Sequence, residues 1–213
     1  MMETPHTSHL DFQNVYEPAE DTFLLMDAIE EDLPMLRLKK PSVCIEVGSG
    51  SGVISSAVCK ALKHLVCLTT DINPAACKAT KSTSHGHGVS GMMDAVCGDL
   101  LGPMLDRLKG VVDILIFNPP YVPTVPEEIT ASGISQAWAG GHKGREVTDR
   151  LLPHISSLLS PHGVFYLLLL QENNPEEIKK LMEKQDLVGE IIKTRRAGRE
   201  SLLIMRISKV CVN

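Results

Sequence analysis

Short apolar runs that alternate with helix-like segments constrain this chain more than any other feature. Val43 to Val47, Leu65 to Thr70, Met92 to Cys97, Val111 to Phe117 and Val164 to Leu170 all have strand length, and most lack polar alternation. A strand without alternation is buried on both faces, and strands separated by helices run parallel because each crossover returns the chain to the same sheet end. The pattern predicts a single-domain, Rossmann-like α/β fold with a mostly parallel sheet and helices on both faces. Glu190 to Thr194 and Leu202 to Ile207 flank a Gly- and Arg-rich turn too short for a crossover helix. They are expected to end the sheet as an antiparallel hairpin.

Helical spacing predicts helices over Glu20–Glu30, Val53–Leu62, Pro74–Ser82, Glu146–Leu159 and from Pro175 to about Lys184. In the first of these Phe23, Leu24 and Ala28 are taken as one apolar face, with Pro34 at or just beyond its end. Asn73 and Asn174, each followed by proline, are the expected N-caps. Pro161-His162-Gly163 reads as a turn, and Ser82 to Gly91, with His85 and His87, as a loop. Residues 1–15 are expected as a flexible tail and 16–213 as the domain. The long segment Tyr121 to Gly144, with Pro123, Pro126, Gly133, Gly140 and Gly141, reads as a functional loop.

Composition narrows the function classes. The net charge is −5 and the pI about 5.9, a balance that disfavours unaided binding to nucleic acid. Lys193, Arg195, Arg196 and Arg199 form the one basic cluster and read as a solvated hairpin tip. The cysteines at 44, 59, 67, 77, 97 and 211 show no C-x-x-C spacing. They are expected as free thiols of a reducing compartment, not as a metal site. No run approaches the ~20 apolar residues of a bilayer span, and no secretory pattern opens the chain. The cytosol, and also the nucleus, is the expected location.

Two motifs carry chemistry. The first strand runs into Gly48-Ser49-Gly50-Ser51-Gly52 and then a helix, a backbone that a ligand can approach closely. The spacing is not that of dinucleotide binders, and nothing basic stands ready for a pyrophosphate. Instead acids mark successive strand ends: Glu46, then Asp71, placed to accept from ribose hydroxyls, then Asp99, placed to accept from an adenine amino group. A cationic nucleoside such as a sulfonium suits such a crevice. The fourth strand ends in Asn118-Pro119-Pro120-Tyr121. The Asn118 side-chain oxygen and the Pro119 carbonyl can accept both hydrogens of a planar NH2, and Tyr121 can stack on the group that carries it. That arrangement aims a poorly nucleophilic nitrogen at an electrophilic methyl group.

Together these residues resemble the HemK type of class I S-adenosylmethionine-dependent methyltransferase. The segments Tyr16-Glu17-Pro18-Ala19-Glu20-Asp21-Thr22-Phe23, Asp71-Ile72-Asn73-Pro74, Ala137-Trp138-Ala139-Gly140-Gly141 with Gly144-Arg145-Glu146, and Glu172-Asn173-Asn174-Pro175-Glu176-Glu177 are similar to the eukaryotic release-factor glutamine methyltransferases. The resemblance implies a seven-stranded sheet. It implies S-adenosylmethionine held by Thr22, Glu46, Gly48, Gly50, Asp71, Asp99, Leu100 and Asn118. Catalysis falls to Asn118, Pro119 and Tyr121, and substrate contact to Asn118, Pro120 and Tyr121. The implied substrate is the glutamine of a release factor's Gly-Gly-Gln motif. A small zinc-binding activator subunit is implied as a heterodimer partner, paired along the third strand near Met92 to Val96. Bacterial members carry a separate N-terminal helical domain; about forty residues precede the first strand here, so substrate grip is expected from the partner or the Tyr121–Gly144 loop.

Other functions remain in view. An adenine amino group in DNA presents the same planar NH2, but the acidic charge and the lack of a base-flipping recognition domain count against it. A lysine amine needs deprotonation, not two acceptors. Arsenic methylation wants paired cysteines at the crevice, and pure scaffolding leaves Asn118 without a purpose.

Overall fold

The computed structural model describes residues 2–124 and 138–210. Pro126, Gly133, Ala137 and Cys211, named above, lie outside the described residues. Seven strands form one sheet: β1 (Val43–Val47), β2 (Val66–Asp71), β3 (Met93–Cys97), β4 (Val112–Phe117), β5 (Leu159–Leu170), β6 (Leu187–Ala197) and β7 (Glu200–Lys209). Their order is β3-β2-β1-β4-β5-β7-β6, parallel through β5 and antiparallel at β7 and β6. The mixed sheet and its terminal hairpin are as expected. The order reverses between β1 and β4, and in open α/β sheets ligands bind beyond the carboxyl ends of strands at such a point.

Period-two alternation feeds two cores. From β4, Ile114 and Ile116 face one core and Leu115 and Phe117 the other; on β5, Tyr166 and Leu168 oppose Phe165, Leu167 and Leu169. Helices α1 (Glu20–Lys39) and α2 (Val53–Ala61) cover the first face. The second is covered by α4 (Glu146–Leu151), α5 (Ile155–Leu158) and α6 (Pro175–Glu183). Helix α3 (Pro74–Gly86) packs on β2 and β3. No helix among the described residues is long and apolar enough to cross a membrane. Cys44, Cys59, Cys67 and Cys77 are buried free thiols, and Cys97 is exposed.

Several sequence expectations need correction. Helix α1 passes through Pro34 and ends at Lys39. An internal proline costs about 3 kcal/mol, but Leu33 just before it and Leu36 beyond it are both buried in the core. Asp32, just before it, is fixed by Arg206 at 2.8 Å and by the Tyr166 hydroxyl at 2.8 Å. Phe23, placed above on the apolar face, is exposed, and Leu25 and Ile29 line the core instead. The helix expected over Glu146–Leu159 breaks at Pro153 into α4, a 3-10 turn at Leu152–His154, and α5.

Helix α3 runs four residues beyond its expected end at Ser82, to Gly86, and so takes in the start of the expected Ser82–Gly91 loop. The buried Thr83 hydroxyl there donates to Ser51 O at 2.7 Å, a bond that holds the last turn in place. His87 follows, buried, while His85 is exposed. Finally, Pro161-His162-Gly163 lies within the range of β5. The register slips there between Val112↔Leu159 and Ile114↔Val164. The slip accommodates Asp113, whose carboxylate accepts from Ser160 Oγ at 2.6 Å and Ser42 N at 2.8 Å. The first fifteen residues, expected as a flexible tail, pack on the domain, with Pro5 and Val15 buried. Met2 is buried in the first core, and Asn14 O accepts from Asn73 Nδ2 at 2.8 Å.

Leu36→Ala tests the packing of α1 beyond Pro34. Chemical denaturation is expected to show a loss of about 2–5 kcal/mol, the range for truncating a buried leucine. A loss of less than about 0.5 kcal/mol, the size of a surface effect, would contradict it.

Candidate active site

A cavity of about 260 Å³ opens at the switch point, lined by the ends of β1, β2 and β4 and by the start of α1. The glycine loop forms its floor. Gly48 N and Ser49 N both donate to Thr70 O, at 2.8 and 3.0 Å, and tie the loop to β2. Gly50 N donates to Asp71 Oδ2 at 2.9 Å. Gly52 serves packing: its φ is +76°, and a Cβ there would lie 2.6 Å from Thr80 Cα. Gly48, Gly50, Thr22 and Leu100, proposed above as ligand contacts, line the cavity.

The three acids reach the same space in different states. Glu46 is buried and accepts from the Ser55 hydroxyl. Burial raises its pKa to about 8, against the opposing pull of that hydrogen bond. Asp71 is held by Gly50 N and by Asn73 N at 2.9 Å, one on each oxygen. Burial still raises its pKa despite these donors. Each oxygen keeps acceptor capacity for a further donor. Asp99 is exposed and pairs with Arg150 at 2.5 Å. Arg150 therefore brings to the crevice a basic group that the strand-end motifs do not announce. Its charge is engaged by Asp99, and it comes from α4, far from the strand-end motifs.

At the far wall lies the Asn-Pro-Pro-Tyr turn. Asn118, Pro120 and Tyr121 line the cavity. Pro119, expected as the second acceptor, is buried and does not line it. Asn118 Nδ2 donates to Asp21 Oδ2 at 3.0 Å, while Asn118 Oδ1 is buried without a partner among the described residues. The same Asp21 oxygen accepts from the hydroxyls of Tyr16 at 3.1 Å and Tyr121 at 3.3 Å, and Asp21 Oδ1 from Thr22 N at 2.7 Å. Burial, then the Asp21 charge, pushes both tyrosine pKa values well up, so the phenols stay protonated donors.

Tyr121 thus presents its ring to the cavity with its hydroxyl already engaged. Asp21 and Tyr16 were not singled out as site residues from the sequence. An acid in the first turn of a helix is explained by the helix dipole alone, which hides its second role. Trp138, 37% exposed at the cavity rim, has no signal beyond its motif.

Glu46 makes the stability of the free protein pH-dependent. Its folded pKa lies above the unfolded value of 4.5, so the folded chain holds the extra proton between those values, and stability falls as pH rises through them. Thermal unfolding is expected to show Glu46→Gln gaining on the wild type from about pH 5 to about pH 8. Parallel curves would contradict the buried, proton-binding state of Glu46.

Comparison with known proteins follows the same lines. The family model described as methyltransferase small domain matches residues 21–193. Methyltransferase HEMK2 of Mus musculus is 47% identical over 205 residues, covering 96% of this chain and 94% of that protein. The eRF1 methyltransferase catalytic subunit mtq2 of Schizosaccharomyces pombe is 42% identical, covering 99% and 97%. The solved E. cuniculi Mtq2–Trm112 complex, responsible for methylation of the eRF1 translation termination factor, is 28% identical with a TM-score of 0.69, covering 92% of this chain and 99% of that one.

Proposed function

This chain belongs to the methyltransferase small-domain family and is an S-adenosylmethionine-dependent methyltransferase, and we propose that it methylates the side-chain amide of the glutamine in a release factor's Gly-Gly-Gln motif. The observation that carries this reading is the state of Asn118. Its side-chain oxygen is a buried acceptor without a partner among the described residues, at the wall of the cavity. Such an atom costs about 1–3 kcal/mol unless a ligand donor meets it.

The cavity suits the cofactor. Glu46, Asp71 and Asp99 provide carboxylates for a cationic nucleoside, and Arg150, the lining arginine among the described residues, is already paired. In this reading Asp71 takes ribose hydroxyls, Asp99 and Leu100 border the adenine, and Thr22, Glu46, Gly48 and Gly50 enclose the remainder. Bound there, S-adenosylmethionine supplies a methyl group on a positively charged sulfur.

The chain's own residues prepare the acceptor. Asp21 has only oxygens to offer, so it accepts the Asn118 NH2 and leaves Asn118 Oδ1 turned to the substrate. That oxygen accepts a hydrogen from the target amide, orients its nitrogen and raises the electron density there. The Tyr121 ring and Pro120 flank the planar group. Once methylated, the nitrogen carries an acidic proton that water removes, so no general base is required.

The small activator subunit is proposed to bind zinc and to pair along β3 near Met92 to Val96. Two observations support the pairing with a second subunit. Strand β3 is one of the two edges of the sheet, the other being β6, and pairs only with β2 among the described residues, and edges invite added strands; the E. cuniculi relative is a two-protein complex.

The test incubates the chain, with and without that subunit, with release factor and labelled S-adenosylmethionine, and maps the methyl by mass spectrometry. Label on the Gly-Gly-Gln glutamine is expected, with Asn118→Ala reducing the rate by about 10²–10³, the range for losing one preorganised group. Label on lysine or DNA adenine alone would overturn the substrate, and an undiminished Asn118→Ala rate the mechanism.

A further inference from the structure

Two sequence segments have no part in that reading: Gly144-Arg145-Glu146 and Glu172-Asn173-Asn174-Pro175. In the fold they meet behind the Asn118–Tyr121 turn. Asn173 is fully buried in the 3-10 turn Gln171–Asn173 that follows β5. Its Oδ1 accepts from Leu170 N at 2.6 Å, at the end of β5. Its Nδ2 donates to Tyr121 O and to Lys143 O, each at 2.9 Å. One side faces an N–H and the other two carbonyls, so these partners fix the amide's orientation.

Gly144 shows how close this contact is. Its φ is +65°, and a Cβ would stand 1.9 Å from Tyr121 O and 2.6 Å from Asn173 Nδ2. No side chain fits between them. Arg145, also buried, donates to Asn173 O at 3.4 Å and is balanced by Asp149 at 2.8 Å and Glu177 at 2.9 Å. A buried cation with two carboxylates thus braces the turn that carries Asn173.

We infer that Asn173 is a positioning residue for methyl transfer, riveting the Tyr121 carbonyl to the end of β5 and so fixing where Asn118 Oδ1 lies. Asn173 does not line the cavity and acts through Tyr121. The link between them is stiff: Pro119 and Pro120 each lock φ, and Asn118 and Pro119, which precede prolines, are restricted in turn. A shift at Tyr121 therefore has few torsions to absorb it before it reaches Asn118. Asp21 sets the rotation of the Asn118 amide, and Asn173 sets the backbone from which it projects. The inference rests on Asn118 being the acceptor that holds the substrate nitrogen.

Asn173→Asp in the full chain provides the test. It keeps the shape and the acceptor for Leu170 N but places a carboxylate oxygen against Tyr121 O. At about pH 8 the single-turnover rate is expected to fall about 100-fold, the cost of roughly 1 Å of misplacement, with the cofactor Kd by calorimetry within about twofold. Lowering the pH protonates the buried carboxyl, which then donates to Tyr121 O, so the variant recovers toward the wild type, a pH response that lost packing alone would not give.

A variant as fast as the wild type at pH 8, or one whose cofactor Kd weakens as much as its rate, would overturn the role. Should Asn173→Asp fail to fold, Gly144→Ala pushes on the same carbonyl. It is expected to show the same split between rate and cofactor affinity, and full activity there would overturn the inference. A wild type that methylates an acceptor other than glutamine would contradict the substrate reading alone; the variant-to-wild-type ratio is then measured on that acceptor.

Discussion

The buried Asp21 carboxylate is the constraint on which the candidate site depends. It gathers donors from Tyr16, Asn118, Tyr121 and the Thr22 backbone. Those residues come from the segment before α1, from α1 itself and from the end of β4. Because a carboxylate can only accept, every group around it must present hydrogens, and the Asn118 amide has one orientation left. A polar cluster of this kind specifies geometry when fully satisfied and is costly when it is not. In the Asp21 cluster, the acceptor left without a partner among the described residues is the Asn118 oxygen.

Asp21 can act this way only if α1 is held in place, and the last two strands hold it. Arg195 pairs with Glu20 and Asp27, Lys193 with Glu31, and Arg206 with Asp32. Exposed pairs of this kind contribute roughly 0–1 kcal/mol each. Their value lies in setting the position of a helix whose first turn reaches the cavity. The basic cluster, read from sequence as a solvated hairpin tip, is thus half structural. Lys193 and Arg195 are engaged with α1, while Arg196 and Arg199 are exposed. Across the cavity, Glu46 is buried at a cost that a cationic ligand would relieve, which gives the site a charge preference before any ligand enters.

Much of this was legible in the sequence because it rests on local rules. Fully apolar strands reported their burial, glycines and acids at strand ends reported the crevice, and Asn73 and Asn174 reported helix starts, each capping as expected. What escaped notice depends on contacts between distant segments. Pro34 looked like a stop, yet the anchoring of Asp32 by Arg206 lies 174 residues away in sequence. The partnership of Asp21 with Asn118 spans 97 residues, and that of Asn173 with Tyr121 spans 52. Arg150 reaches Asp99 from a helix that the sequence marks only as amphipathic. Periodicity and caps cannot carry such information, since each side chain has an adequate local explanation.

The measurement closest to the central claim is the single-turnover methylation rate of Asp21→Asn, taken with its cofactor Kd. This variant keeps the shape of Asp21 but adds donors where only acceptors belong, so the Asn118 amide loses its fixed orientation. The account predicts a rate lower by about 100-fold with cofactor affinity retained. A wild-type rate would show that Asn118 finds its orientation without Asp21, and would contradict the account at its foundation.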